Sequence, residues 1–279
     1  VPYLEMTVAL VIVLAVVQGL TEFLPVSSSG HLRLIQRIFG VAEPQTFFDI
    51  VLHVGTLFPV LFVYRREIGG IIKGLVASIR RVAGPDERAD ARLGLLVVVG
   101  SVPTGIIGIG LGDIMESLAL DLAWIAGALI INAGILFVLG VVQGRAEGTT
   151  GRRLRELTVR DALLVGTIQG MAVFRGISRS GSTITAGMLT GLDRQAAAAF
   201  SFLLSVPAIV GALLLKLDLS VITADGLGIY VVGGLVACAS GTAALLFLLR
   251  LLRRGRLHLF AWYCLAVAGL ALYWRMNGS

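Results

Sequence analysis

The chain has 279 residues, of which 57% are hydrophobic and only 14% charged, against about 25% charged in an ordinary soluble domain, so water is not its main solvent. The net charge of +6 does not indicate nucleic acid, because most Lys and Arg sit in three short stretches between apolar segments and none of these is interleaved with stacking aromatics. Cys238 and Cys264 lie inside apolar runs, which excludes a disulfide framework or a cysteine metal site and marks both as packing residues.

The chain opens on an apolar stretch that carries Glu5 where a signal peptide would be basic, so no cleavage is expected there. Apolar segments lie near residues 6–26, 47–64, 93–112, 120–143, 159–175, 198–216, 228–250 and 258–274, each near the roughly 20 residues that cross a hydrocarbon core about 30 Å thick. The polar, glycine-rich run GRAEGTTGRRLRE separates the fourth from the fifth. It divides the chain into a first membrane repeat (1–143), a cytoplasmic linker (144–158) and a second repeat (159–279).

The two halves share a motif. QGLTEFLPVSSSGHL, from Gln18 to Leu32, matches QGMAVFRGISRSGST, from Gln169 to Thr183, at Gln, Gly, Phe, Ser, Ser and Gly without a gap. Loop charge then sets orientation, since short cytoplasmic loops are enriched in Lys and Arg. The stretches 65–92, 144–160 and 250–256 are basic and belong inside; those holding Asp113, Glu116 and Asp121, and Asp218 and Asp225, belong outside. If every segment crossed, Arg250 to Arg256 would fall outside. One segment of the second half must therefore fail to cross, and the fifth, broken by Gly166, Gly170, Gly176 and Gly181, is the best candidate. By the repeat, the first segment turns back near Pro25 to Ser29. The expected fold is an all-α polytopic membrane protein with an inverted-topology repeat, three crossing helices plus one re-entrant segment per half, and a polar site where the two re-entrant segments meet.

Glu22 stands in an apolar stretch, and a carboxylate at the bilayer centre costs about 2.5–3.5 kcal/mol on insertion scales, so it needs a partner. Arg179 is the natural one and Arg175 the second; the pair also has a purely structural reading, as a clasp between two loops. Ser27, Ser28, Ser29, Gly30 and His31 place hydroxyls beside an imidazole, and Ser178, Arg179, Ser180, Gly181, Ser182 and Thr183 add hydroxyls and a guanidinium. An Arg fork, close backbone amides and helix N-termini make phosphate-binding chemistry, and a Ser beside a His can form a nucleophile and base. Serine and glycine also simply permit tight helix packing. His53, four residues after Asp49 in FFDIVLHVGTL, reads as a packing or supporting residue, and His258 receives no role.

QGLTEFLPVSSSGH followed about 150 residues later by GISRSGST resembles the undecaprenyl pyrophosphate phosphatase, or bacitracin-resistance protein, family over nearly the whole chain. The resemblance implies dephosphorylation of a long polyprenyl diphosphate to the monophosphate carrier lipid. It also implies a divalent cation, Mg²⁺ or Ca²⁺, and a plasma-membrane site open to the outer face. Membrane lipids are the other expected partners, with a homodimer allowed and no nucleic acid. Family motifs map onto Gln18 and Glu22 in an acidic box, onto the serine run with His31, and onto Gly176, Ser178, Arg179, Ser180 and Thr183. The box can carry Glu where this chain has Gln18, leaving Glu22 its sole carboxylate for metal. The second motif usually opens Pro-Gly, whereas here it is Arg175-Gly176. Lipid phosphatases of the other type need a His where this chain has Thr185, and are rejected. In the resulting reading Glu22, Ser28, His31 and Arg179 carry catalysis, with either Ser28 or His31 attacking or activating the nucleophile. The rival is a prenyl-phosphate or anion transporter, since inverted repeats are the usual build of transporters.

Overall fold

A computed structural model describes residues 7–41, 46–118, 121–145, 151–216 and 224–277, and among these the chain is helical with no strand. Glu5 and Asp218 lie outside the described residues. Helix α1 (Val8–Phe23) is capped by Thr7, whose side chain accepts the Leu10 N–H, and it stops just before Pro25. Helix α2 (Ser28–Ile38) follows at once. Next come α3 (Thr46–Val63), α4 (Arg65–Ile79), α5 (Pro85–Gly110), α6 (Gly112–Leu118) and α7 (Leu122–Arg145). The second half runs α8 (Val159–Met171), α9 (Arg179–Leu189), α10 (Arg194–Lys216), α11 (Ala224–Arg253) and α12 (Phe260–Asn277).

Five of these helices, α5, α7, α10, α11 and α12, are long and apolar enough to cross a membrane, and α3 with α4 makes a sixth such unit bent by 78°. Large side chains such as Ile106, Ile109, Leu214, Leu215, Leu235 and Tyr273 are more than half exposed on them. Apolar surface on that scale is stable only against lipid, so the chain is a multi-pass membrane protein.

Residues 65–92, read from their charge as a loop, are largely helical. Ile71, Ile72, Leu75, Val76 and Ile79 give α4 an apolar periodicity that its arginines mask, and Gly74 lets it close on the backbone of α5 at Glu87 and Ala91. Asp113 and Glu116 fall on the short helix α6 rather than in a loop.

The motif helices are short. α1 has 16 residues and α8 has 13, lengths of about 24 and 20 Å at 1.5 Å per residue, below the roughly 30 Å of a hydrocarbon core. Each is followed by a break and an 11-residue helix, of which α9 is buried from Ser180 to Met188. α1 packs on α11 and α8 packs on α5, while α7 pairs with α12. Glycine makes the first two contacts possible: Gly19 lies against Ser240 and the Gly241 backbone, and Gly166 against the Gly100 backbone, where any Cβ would collide. The main apolar core, with Phe23, Leu136, Phe200, Phe202 and Leu245 among its members, lies beneath the two breaks and fixes their floor.

Candidate active site

The breaks after α1 and α8 face each other and are tied by polar side chains. Ser27 takes φ 70, an uncommon value for a residue other than glycine. That turn points its Oγ at two amides, accepting the Gly30 N–H at 3.3 Å and the Gly176 N–H at 3.1 Å. Gly176 has φ +105, and a Cβ there would stand 2.5 Å from the Ala128 Cβ, so only glycine fits. Ser178 caps α9 by accepting the Gly181 N–H at 3.1 Å. From α7, Asn132 accepts the Ser178 N–H at 3.0 Å and donates to the Pro25 carbonyl at 2.9 Å, bridging both breaks with one amide. The N-termini of α2 and α9, each the positive end of a helix dipole, thus meet at one place.

Glu22 sits at that place with its side chain only 6% exposed. Its Oε1 pairs with the Arg179 guanidinium. Its Oε2 accepts from Ser28 Oγ at 2.6 Å and from Gln18 Nε2 at 2.9 Å, and faces His53 Nε2 at 3.5 Å. A buried carboxylate is tolerable only with such partners. Of the two arginines considered for Glu22, Arg179 takes the role. Arg175 turns instead to Asp49, at 3.5 Å.

A cavity of about 430 Å³ opens above this cluster. Its lining combines Glu22, Ser28, Ser29, His53, Arg175 and Arg179 with many apolar residues, among them Ile50, Ile109, Val173, Pro207 and Leu215. The cavity therefore suits a molecule with an anionic head and a hydrocarbon body. Behind the Glu22–Arg179 pair lies a chamber of about 10 Å³ lined by Phe23, Ser180, Ser201 and Phe202. Phe202 stacks edge-on with Phe23 at 5.8 Å and packs on Tyr64 at 5.9 Å.

Most motif residues converge. Ser27, Ser28, Ser29, Ser178 and Arg179 line the large cavity, and Gly30 and Gly176 abut across the breaks. Ser180 turns away, its Oγ donating to the Phe23 carbonyl at 3.0 Å, and Thr183 lies deeper, donating to the Arg179 carbonyl at 2.7 Å. His31 does not reach the cavity. Its Nδ1 is 2.8 Å from the Ser27 carbonyl, its Nε2 is 2.9 Å from the Tyr263 hydroxyl, and its ring stacks on Tyr263 at 5.5 Å. The Ser28–His31 pairing drawn from adjacency is therefore corrected: both ring nitrogens of His31 are taken, by the Ser27 carbonyl and by Tyr263 of α12, while Ser28 donates to Glu22 at the end of α1.

Asp49, His53 and Asn132 join the site without having been singled out as its members. His53 Nδ1 lies 2.7 Å from the Asp49 carbonyl, which can only accept, so Nδ1 carries the hydrogen and Nε2 faces Glu22. The signal for α3 was the pair of ionisable residues one turn apart in an apolar helix.

The donor set beside Glu22 also suits a hard cation. Gln18 Nε2 donates to the Glu22 carboxylate at 2.9 Å, and its Oε1 is buried with no hydrogen-bond partner. No group of three or more His, Cys, Asp or Glu able to hold a metal occurs among the described residues. A site of one carboxylate and neutral oxygens, completed by phosphate oxygens, is a form Mg²⁺ accepts.

A family model described as bacitracin resistance protein BacA matches residues 11–270. An undecaprenyl-diphosphatase of Desulfosudis oleivorans is 43% identical, with 94% of this chain and 96% of the relative covered. Those of Carboxydothermus hydrogenoformans (43%, covering 90% and 91%) and Thermomicrobium roseum (42%, covering 93% and 95%) are similar over comparable spans.

Proposed function

Because the chain belongs to the bacitracin resistance protein BacA family, we propose that it hydrolyses undecaprenyl diphosphate to undecaprenyl phosphate and inorganic phosphate, and that it does so through Ser28. The observation that carries the residue assignment is the Ser28 Oγ to Glu22 Oε2 hydrogen bond of 2.6 Å, between two residues that line a mainly apolar cavity. Ser28 Oγ attacks the terminal phosphorus and Glu22 accepts its proton, while the bond from that phosphorus to the bridging oxygen breaks. The prenyl monophosphate leaves with the bridging oxygen and takes the proton from Glu22. Water then attacks the phosphoserine, giving its proton through Glu22 to the departing Ser28 oxygen, so inorganic phosphate forms and the serine is restored. Arg179 and the N-termini of α2 and α9 stabilise the charge on the transferred group, and most of the catalytic effect is positioning and electrostatics. His53 supports Glu22 from α3.

Glu22 and Gln18 are the residues that would hold a divalent cation. The Glu22–Arg179 pair cancels its own charge, so a phosphate arriving there gains full neutralisation only from a further cation, and that neutralisation is the chemistry Mg²⁺ or Ca²⁺ would supply. Purified protein in detergent should release one phosphate per prenyl diphosphate, lose the activity to a chelator and regain it with Mg²⁺ or Ca²⁺. Undiminished turnover in chelator would remove the cation. No release in detergent, combined with anion movement in reconstituted vesicles, would replace the hydrolase by a transporter.

The proposed setting is the plasma membrane, with residues 1–143 and 159–279 as inverted repeats joined by 144–158, α1–α2 and α8–α9 as re-entrant pairs, and the cavity open to the outer face. Support comes from the reciprocal packing of α1 on α11 and α8 on α5, from the shortness of α1 and α8, and from the basic stretches. Single cysteines placed in 65–92 and 250–256 should resist an impermeant external reagent in intact cells, and one at Ser117 should react. Labelling of the basic stretches from outside would overturn the topology.

A further inference from the structure

The Glu22–Arg179 cluster accounts for one phosphate, whereas the substrate carries two. A second charged cluster lines the same cavity and has no part in the mechanism above. Asp49, on α3, is buried; one carboxylate oxygen accepts from Gln36 Nε2 at 2.8 Å and the other meets the Arg175 guanidinium at 3.5 Å, too long for a strong pair. Arg175 offers five N–H donors, and among the described residues its one hydrogen bond is this long contact to Asp49, so the guanidinium keeps donors that an anion would complete. Arg175 and Asp49 both line the cavity.

Its backbone is fixed as well. The next residue, Gly176, donates its N–H to Ser27 Oγ at 3.1 Å, so Arg175 projects from a loop locked to the serine run. On α3, Asp49 stands one turn before His53, which faces Glu22 at 3.5 Å; one turn of four residues rises about 6 Å. The two charged clusters are thus spaced by about the length of one helical turn along a single wall, a span that a diphosphate and two Arg side chains bridge.

We propose that Arg175 forms a second phosphate subsite, binding the phosphate that bears the prenyl chain, with Asp49 as the counter-ion that holds Arg175 in place and yields it when substrate enters. This rests on the diphosphatase reading. It assigns the recognition of a diphosphate over a monophosphate to Arg175, and the reaction at the terminal phosphate to Ser28, Glu22 and Arg179.

The test is calorimetric binding of methylenediphosphonate and of orthophosphate to the full-length protein in detergent, alongside steady-state kinetics on a prenyl diphosphate. Arg175→Ala should weaken the diphosphonate by roughly 10- to 100-fold, the scale of a lost charge-assisted contact, and leave orthophosphate near its wild-type affinity. KM should rise by a similar factor with kcat largely kept, and Arg175→Lys should recover part of the loss. Asp49→Asn removes the competing anion and should tighten the diphosphonate, the opposite sign, which holds even if Arg175→Ala folds poorly. Equal weakening of both probes by Arg175→Ala, a fall in kcat with KM unchanged, or weaker diphosphonate binding in Asp49→Asn would each overturn the subsite. A wild-type protein that binds the diphosphonate but releases no phosphate from prenyl diphosphates would instead overturn the diphosphatase reading and leave the subsite standing.

Discussion

Ser28→Ala is expected to lower phosphate release by more than about 10⁴-fold while substrate still binds, because a lost nucleophile costs more than the roughly 10²- to 10⁴-fold of a lost general acid or base. The Ser28 hydroxyl is the only group in the serine run that donates to Glu22 among the described hydrogen bonds, at 2.6 Å. Its proton acceptor is therefore in place before substrate arrives. His31→Ala is the informative companion. With one ring nitrogen on the Ser27 carbonyl and the other on Tyr263, His31 can influence the reaction only by holding the start of α2, so its loss should leave a substantial part of the rate. Rapid quenching with a substrate labelled at the terminal phosphate should trap label on Ser28 in the wild type and none in Ser28→Ala. Retention of a hundredth or more of the rate in Ser28→Ala, or label on His31, would exchange their roles.

Arg179→Lys should cost about 10³- to 10⁵-fold in kcat, the range associated with an arginine that stabilises a phosphoryl transition state, although the charge is kept. Lys is a compact point charge without the planar fork that matches phosphate oxygens. The substitution also tests the ion pair, since Glu22 stays buried whichever cation is opposite. Removing the cation altogether, as in Arg179→Ala, leaves an uncompensated buried charge and should destabilise the fold by about 3–5 kcal/mol. Thermal unfolding of Arg179→Lys should therefore stay close to wild type while turnover collapses. A fully active Arg179→Lys enzyme would take the bidentate clamp out of the mechanism.

The helix breaks and the meeting of Glu22 with Arg179 were legible in the sequence because each follows from a local or one-body cost: proline and glycine interrupt helices, and a carboxylate in lipid needs a cation. Serine placement was legible for a similar reason, since Ser27 and Ser178 each cap the helix that begins next. The role of α3 was not legible. Asp49 and His53 lie outside both motifs, and only tertiary packing shows that one turn of α3 forms a wall of their cavity. His31 misled because adjacency along α2 is not adjacency in space, and the deciding contact, Tyr263, lies 232 residues away. The α4 helix was hidden by charge: arginines taken as a sign of a cytoplasmic stretch say nothing about whether its backbone is helical.

The chamber behind the Glu22–Arg179 pair bears on electrical insulation. A cavity of about 430 Å³ inside a membrane protein shortens the dielectric path that separates two aqueous compartments, and with a membrane potential of about 100 mV each charge that leaked along it would dissipate about 2.3 kcal/mol. Past the ion pair the space falls to about 10 Å³, close to the minimum for a single water. Phe23 and Phe202 wall that space, and Tyr64 backs Phe202. A hydrated ion does not fit a space of that size, so the chamber adds no conducting path to the cavity on that side.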